Sequence, residues 1–234
     1  MDGSPLLPRD DDPPQPRAAT AGERLLVAPP RVDDPLLTEI AWRARRLAAD
    51  LDADGVAREM PPVDAAAAPP PRRAAVLIAL CADPSGAAAL ILTQRAQHLA
   101  AHPGQVAFPG GKIEPGESAA DAALREAHEE VALPPGAAQV LGTTMPYLTR
   151  TGFLVVPVLA RVREPVRLAP NPGEVDAVFT VPFASVMTPA NHRRVDTVHE
   201  GLPRSYYEVT VDGKRVWGVT AAIMRLVHEK LFAP

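Results

Sequence analysis

Three glutamates stand within five consecutive positions of a predicted helix, in the stretch REAHEEVAL. At about 100° per residue, Glu126, Glu129 and Glu130 fall within an arc of roughly 100° on that helix. Like charges at this spacing repel each other unless a cation lies among them. Because Mg²⁺ and Mn²⁺ prefer oxygen ligands, the spacing indicates a divalent-metal site. The plainer interpretation is a solvated acidic helix face.

The residues around these glutamates favour the metal site over the solvated face. Gly110 and Gly111 lie upstream, and glycine lets a backbone approach a ligand closely. Glu117 follows them and adds another carboxylate. Arg125 directly precedes Glu126, so it can hold a neighbouring carboxylate in place.

The helix itself is predicted over residues 118 to 131. Ser118 is its expected N-cap, with Asp121 in the capping-box position. An apolar stripe is expected to dock the helix on a sheet: Ala120, Leu124, Ala127 and Val131. Small residues are expected on the glutamate face: Ala119, Ala122 and Ala123.

Buried strands are expected on both sides of this helix. The runs AAVLIALCAD and AALILTQR predict two strands joined by a turn at DPSG. GQVAFPGG, AQVLGTTM, FLVVPVLARV and VDAVFTV predict further strands, and Asp212-Gly213 predicts the tight turn of a hairpin. The chain ends in a predicted helix with Ile223, Leu226, Val227 and Leu231 on one face. This irregular alternation predicts an α/β fold in which helices cover a mixed sheet.

The N-terminal part of the chain differs in texture, because 13 of its 28 prolines precede Arg72. Residues 1–35 lack periodicity and predict a disordered leader. Residues 36–51 predict an amphipathic helix, and a proline-stiffened linker follows. We therefore expect an N-terminal extension over residues 1–71 and one domain over residues 72–234.

Composition excludes several classes of protein. The net charge of −4 leaves no basic excess for nucleic-acid binding. No apolar run approaches the roughly 20 residues of a membrane span, and the acidic, proline-rich start is wrong for a signal peptide. The single cysteine, Cys81, lies in an apolar run and is expected to be a buried thiol. We expect a cytoplasmic protein, and a homodimer is compatible with the sequence.

The segment GKIEPGESAADAALREAHEEVAL resembles the Nudix box, G-x5-E-x7-R-E-U-x-E-E-x-G-U, in which U is a bulky aliphatic residue. The matching residues are Gly111, Glu117, Arg125, Glu126, Glu129 and Glu130. Ala127 replaces the bulky aliphatic residue, and Ala132 replaces the glycine that supplies a left-handed cap. The resemblance implies the Nudix fold, a mixed sheet sandwiched between helices, and a pyrophosphohydrolase.

The segment ILTQRAQHLAAHPGQVAFPGG is similar to a signature of the coenzyme A pyrophosphatase branch of that family. The matching residues are Thr93, Arg95, Leu99, His102, Gly104, Gln105, Phe108 and Pro109. Ala96 replaces the common serine and Ala100 the common arginine. With later stretches included, the resemblance extends over about residues 74–232.

The resemblance implies attack of water on a diphosphate linked to a second moiety. It implies metal ligation, by Mg²⁺ or Mn²⁺, through Glu126, Glu129, Glu130 and the Gly111 carbonyl, with Arg125 and Glu117 orienting these ligands. Two residues remain candidates for the general base, Glu129 within the box and Glu174 on a facing loop.

For coenzyme A (CoA) the products would be phosphopantetheine and adenosine 3′,5′-bisphosphate. Substrate contacts are expected from Arg95, His98, His102, Gln105 and Lys112. The stretch NHRR, with His192, Arg193 and Arg194, is expected to be a solvated loop. The alternatives are a Nudix hydrolase of ADP-ribose or dinucleotides, and a non-catalytic nucleotide-sensing module.

Overall fold

The computed structural model describes residues 18–31, 38–40, 42–43, 70–83, 85–199 and 202–231. The strands are β1 Ala18–Thr20, β2 Leu25–Val27, β3 Arg72–Ala82, β4 Ala88–Arg95, β5 Val106–Ala107, β6 Gly110–Lys112, β7 Ala138–Thr143, β8 Tyr147–Leu148, β9 Phe153–Val162, β10 Val166–Leu168, β11 Val175–Pro182, β12 His192–His199, β13 Leu202–Val211 and β14 Lys214–Trp217. The helices are α1 Ala119–Val131, α2 Phe183–Met187 and α3 Val219–Leu231. Two 3₁₀ turns cover Pro135–Ala137 and Pro189–Asn191.

Most of the strands form one mixed sheet, in the order β1-β11-β4-β3-β9-β7. The central strands β3 and β9 run parallel, and the other pairs are antiparallel. Short strands β5, β6 and β8 pair with β4, β3 and β9. Two smaller sheets join β2 to β10, and β12 to β13 and β14.

Both faces of the main sheet are buried, because the strands alternate their side chains between two apolar clusters. In β3, Leu77 and Ala79 face the cluster that contains α1. Ile78 and Leu80 face the cluster that contains α3 and part of the three-stranded sheet. The predicted α/β arrangement, a mixed sheet between helices, is thus confirmed.

Helix α1 has the predicted N-cap, since the Ser118 hydroxyl accepts a hydrogen bond from the Asp121 N–H at 3.1 Å. Its other end adopts the left-handed conformation with alanine: Ala132 has φ 56°. The Leu133 N–H donates to the Ala127 carbonyl at 3.3 Å, as in a Schellman motif. The alanine therefore keeps the turn that glycine normally supplies, at a cost on the order of 1 kcal/mol.

The predicted docking stripe of α1 is wrong in part. The buried apolar residues are Ala122, Ala123, Ala127 and Val131, whereas Ala120 and Leu124 are only partly buried at the margin. Alanine lets the helix axis come close to the sheet, so the small residues form the contact. Of the alanines that were expected beside the glutamates, Ala122 and Ala123 are part of the core and Ala119 is partly buried at its margin.

Residues 18–28 belong to the folded domain, so the prediction of a disordered leader is wrong for this stretch. β1 pairs antiparallel with β11, β2 pairs with β10, and Ala28 forms a bridge with Ala82. Ala19 and Val27 are each 2% exposed. Strands of three residues are too short to show a periodic pattern, which is why the sequence did not reveal them.

The remaining N-terminal predictions fall largely outside the described residues. Of the helix predicted at residues 36–51, residues 38–40 and 42–43 are described; they are helical, and Ile40 is fully buried. Residues 1–17 and the first nine of the linker lie outside the described part.

Three other predictions are confirmed. Asp212 and Gly213, at φ 46° and 72°, form the tight turn between β13 and β14. Cys81 is fully buried, and this burial raises the pKa of its thiol to about 12. In α3, Ile223, Val227 and Leu231 are buried, although Leu226 is only partly so.

No helix in the described ranges is long and apolar enough to cross a membrane.

Candidate active site

Three carboxylates from two parts of the chain meet at one end of the main sheet. Glu126 and Glu130 project from α1, and Glu174 lies in the turn that precedes β11. One oxygen from each carboxylate lies within 4.8 Å of the other two. This spacing would let a single ion contact all three carboxylates.

Backbone hydrogen bonds hold the Glu174 turn against α1 and against the end of β4. The Asn171 N–H donates to the Glu130 carbonyl at 2.8 Å, and the Glu174 N–H donates to the Asn171 carbonyl at 3.0 Å. On the other side, the Ala96 N–H donates to the Glu174 carbonyl at 2.9 Å. The turn is therefore tied to both elements that border the cluster.

The two glycines of β6 let the backbone lie directly against these glutamates. The Gly110 N–H donates to Oε2 of Glu130 at 3.2 Å. A Cβ atom at Gly111 would lie 2.3 Å from Oε1 of Glu126, so it would force that carboxylate out of its position in the cluster. Glycine at residue 111 thus leaves room for the Glu126 carboxylate.

The electrostatics of the cluster disfavour its fully ionised form in the absence of a cation. Glu130 is 3% exposed, and burial raises its pKa to about 8; the Gly110 hydrogen bond and the charge of Arg95 act in the opposite direction. Burial also raises the pKa of Glu126. Three clustered carboxylates, of which only Glu126 has a hydrogen-bonded arginine partner among the described residues, are a donor set that a hard divalent cation fits.

Arg125 organises the outer side of the cluster. Its Nε and Nη2 donate to the two Glu117 oxygens at 2.9 and 3.1 Å, and its Nη1 donates to Glu126 at 3.0 Å. Nη2 also donates to the Lys112 carbonyl at 3.0 Å. The hydrogen bonds from this guanidinium hold the pKa of Glu117 below its usual value. The arginine thus holds Glu126 in place through both its charge and its geometry.

Glu129 lies apart from the three-carboxylate cluster. Its side chain is 49% exposed and accepts a hydrogen bond from Arg125 at 3.3 Å. The predicted trio of Glu126, Glu129 and Glu130 is therefore divided: two face the sheet and one faces outward. Glu174 is the third carboxylate of the cluster. In the sequence it was indicated only by its position just before a predicted strand.

The residues predicted to contact substrate lie at the end of β4, on the loop that follows it and on β6. The loop is closed by hydrogen bonds from the Arg95 N–H to the Gln105 carbonyl at 2.9 Å and from the Gly104 N–H to the Arg95 carbonyl at 3.0 Å. Nε of Arg95 is buried and has no hydrogen-bond partner among the described residues. His98, His102 and Lys112 are exposed. Of this set, Arg95 is the residue whose charge acts on the carboxylate cluster.

A cavity of about 400 Å³ lies between α3, β13 and the turn after β8, and His102 forms part of its wall. Sequence reasoning missed most of its polar lining: Arg150, Tyr147, Tyr206, Tyr207 and Arg225. These residues come from separate elements and carry no shared motif.

The stretch NHRR is not the solvated loop that was predicted, because strand β12 begins at His192. Nε2 of His192 lies 2.6 Å from the Val186 carbonyl, and Arg193 pairs with the buried Glu208 at 2.5 Å. Arg194 lines the cavity. Pairing with β13 orders this stretch and gives its cations defined positions.

Comparison with known proteins places these features in a family. The family model of the NUDIX domain matches residues 71–200. The Nudix hydrolase NudL of Yersinia enterocolitica, described as uncharacterized, is 37% identical over 143 residues, which are 61% of this chain and 73% of that protein. Its counterpart in Yersinia pestis is 39% identical over 61% of this chain and 72% of that protein.

Among solved structures, a Nudix hydrolase from M. smegmatis, RenU, is 29% identical over 51% of this chain and 75% of that chain, with a TM-score of 0.44. The family model alone matches more than half of the chain, and its range contains both α1 and the Glu174 turn. The chain therefore belongs to the Nudix family and is a pyrophosphohydrolase that acts on a nucleoside diphosphate linked to a second moiety.

Proposed function

We propose that this enzyme hydrolyses the diphosphate of CoA or a CoA derivative, with Mg²⁺ or Mn²⁺, to phosphopantetheine and adenosine 3′,5′-bisphosphate. The observation that carries the proposal is the position of the Arg95–Gln105 loop. Its first residues contact the carboxylate cluster, through the Ala96–Glu174 hydrogen bond and the charge of Arg95 on Glu130. The segment that resembles the CoA branch thus borders the site where the diphosphate would be cleaved.

The metal would be held by Glu126, Glu130 and Glu174, with the Gly111 carbonyl and Glu129 as further ligands. A bound divalent cation would neutralise charge on the diphosphate oxygens. Arg125, itself held by Glu117, fixes the orientation of Glu126. Arg95 supplies a positive charge that already acts on Glu130, and a guanidinium beside the cluster suits a phosphate oxygen.

The general base would be Glu129 or Glu174, the two candidates that were named from the sequence. Glu129 is half exposed and can be reached by water, and Glu174 lies within the cluster itself. Either carboxylate would take the proton of the attacking water as the new P–O bond forms, while the bridging P–O bond of the diphosphate breaks and the second phosphate leaves with the oxygen.

The sequence offered two alternatives to this proposal, of which the first remains a candidate. A preference for ADP-ribose or a dinucleotide would use the same carboxylate cluster without a contact to a 3′-phosphate. A sensing module would not need the cluster, so its intact geometry favours an enzyme. A cytoplasmic location and a homodimer stay predictions from the sequence.

The proposal is tested by measuring kcat/KM with Mg²⁺ on CoA, dephospho-CoA and ADP-ribose. A charge-assisted contact to the 3′-phosphate contributes on the order of 1.5–3 kcal/mol, so we expect CoA to exceed dephospho-CoA by roughly ten- to a hundredfold. ADP-ribose should be cleaved far more slowly than either. Glu130→Gln, purified in parallel, controls for contaminating activity. If ADP-ribose equals or exceeds CoA, the CoA assignment is wrong and the broader activity remains.

A further inference from the structure

We infer that the cavity beside His102 receives a phosphomonoester on the ribose of the substrate, and that Arg150 and Arg194 are the residues that select it. The inference rests on the proposed function and names the residues that would give it specificity. The sequence predicted that the 3′-phosphate contacts the segment from Arg95 to Lys112. The cavity instead assigns that contact to Arg150 and Arg194.

The cavity and the carboxylate cluster share one loop. Its start, at Arg95 and Ala96, contacts the cluster, and His102 near its other end lines the cavity. The cluster borders α1 and the cavity borders α3, so the two sites lie on opposite faces of the main sheet, and strand pairing gives their separation across it. Gly111 pairs with Ala75, β3 pairs with β9, and Tyr147 on the cavity wall pairs with β9.

Gly111 and Tyr147 are thus about three strand spacings apart, or ~14 Å. The ribose is joined directly to the diphosphate, so it covers only part of this separation, and the rest would be spanned by the phosphate on its 3′ carbon and by the arginine side chains of the cavity wall. A substrate whose diphosphate lies at the carboxylates would therefore enter the cavity with its 3′-phosphate end.

The charge on the cavity wall favours an anion. Three arginines and one glutamate line it: Arg150, Arg194, Arg225 and Glu229. Arg225 pairs with Glu229 at 2.6 Å, which leaves Arg150 and Arg194 as the cationic excess. Arg194 pairs with Asp196 at 3.3 Å, but both side chains are largely exposed, and exposed pairs of this kind are weak. Arg150 forms no hydrogen bond or ion pair with the described residues.

The backbone that carries Arg150 is held in place before any ligand binds. The Thr149 N–H donates to the Phe153 carbonyl at 2.7 Å, and the Phe153 N–H donates to the Thr149 hydroxyl at 2.9 Å. The Gly152 N–H closes the turn on the Thr149 carbonyl at 3.1 Å. A guanidinium presented by a pre-formed turn loses less conformational freedom on binding.

The remaining wall suits a nucleoside. Tyr147, Tyr206 and Tyr207 offer flat apolar surface, and the volume of about 400 Å³ is within the range of small-molecule sites. An uncharged pantetheine arm would gain nothing from Arg150, which has no ion pair among the described residues, or from the weakly paired Arg194. A guanidinium matches the geometry of a phosphate monoester, so the adenosine 3′-phosphate end is the better occupant.

The test compares the ratio of kcat/KM for CoA to that for dephospho-CoA in the wild type and in the double variant Arg150→Gln, Arg194→Gln. We expect this ratio to fall by about tenfold, because a charge-assisted pair with phosphate is lost. Arg167→Gln removes an exposed arginine on β10, outside the cavity, and should leave the ratio at the wild-type value. Adenosine 3′,5′-bisphosphate and AMP can be compared as product inhibitors. The wild type should bind the bisphosphate more tightly than AMP, and the ratio of their inhibition constants should approach one in the double variant.

The outcomes separate this inference from the proposed function. If the wild type prefers CoA over dephospho-CoA and the double variant keeps the full preference, the cavity assignment is overturned and the function stands. If the wild type does not distinguish the two compounds but cleaves both better than ADP-ribose, the cavity assignment is again overturned. If ADP-ribose is the best substrate, the proposed function itself fails.

Discussion

Glu130 is a buried carboxyl group whose ionisation costs stability. Burial raises its pKa to about 8, from an ordinary value near 4.5. Because the folded pKa is above the unfolded one, the associated stability is present below pH 4.5 and is lost as the pH rises through 8. Between pH 4.5 and 8 the metal-free protein keeps this carboxyl group protonated at a cost in stability that grows with pH, and above a pH of about 8 it carries an unfavourable buried charge.

Replacing Glu130 with glutamine should raise the stability of the metal-free protein at pH 8. The amide stays neutral and its oxygen can still accept from the Gly110 N–H, so the gain should be about 2–4 kcal/mol. Thermal unfolding in the presence of a chelator measures this gain in stability. The same substitution should lower turnover by orders of magnitude. Glu129→Gln is the matched control and should change the metal-free Tm little, because that side chain is half exposed. A lower Tm for Glu130→Gln would contradict the assignment.

At the scale of elements, the short N-terminal strands extend the fold beyond the predicted domain boundary at residue 72. β1 covers one edge of the main sheet and β2 covers β10. Successive side chains in β2 point to opposite sides: Leu26 is 57% exposed, whereas Val27 is 2% exposed. This contrast provides a test of whether the strand is part of the core.

Val27→Asp should destabilise the protein by about 3 kcal/mol or more, because it buries an unpaired charge. Leu26→Asp, one residue away, should stay within about 0.5 kcal/mol of the wild type. Urea unfolding followed by circular dichroism measures both values. Equal and small effects would mean that residues 18–28 do not pack on the domain, and the prediction of a disordered leader would then be right.

At the scale of the whole molecule, the carboxylate cluster joins α1, the Glu174 turn and β6. A divalent cation bound there would stabilise these three elements together. The stabilisation should be larger at high pH, because the cation competes with the proton on Glu130. Below the pKa of about 8, apparent affinity should fall by up to tenfold per pH unit.

The Tm increase produced by Mg²⁺ or Mn²⁺ should accordingly be larger at pH 8 than at pH 6, in differential scanning experiments at constant ionic strength. In Glu130→Gln the pH dependence of this Tm increase should be much weaker. If the metal raises the Tm of the wild type equally at both pH values, Glu130 is not at the metal.

The sequence alone determined the features that depend on neighbours in the chain. Periodicity predicted β3, β4 and α1, since burial on both faces or on one face leaves a local pattern. Ser118 and the Asp212-Gly213 pair predicted a cap and a turn, because backbone geometry there depends on residue type. The close spacing of the glutamates predicted a metal site, and their match to the Nudix box, together with Gly111 and Arg125, implied a metal-dependent hydrolase of that family.

Only the tertiary structure decided which distant residues meet. Glu174, rather than Glu129, joins Glu126 and Glu130, because hydrogen bonds across the fold bring its turn to α1. Arg150 and Arg194 face one cavity although 43 intervening residues separate them in the chain. The three-residue strands near the N-terminus form because β11 and β10 offer unpaired edges. Such contacts depend on the packing of remote elements, and no local pattern in the chain records them.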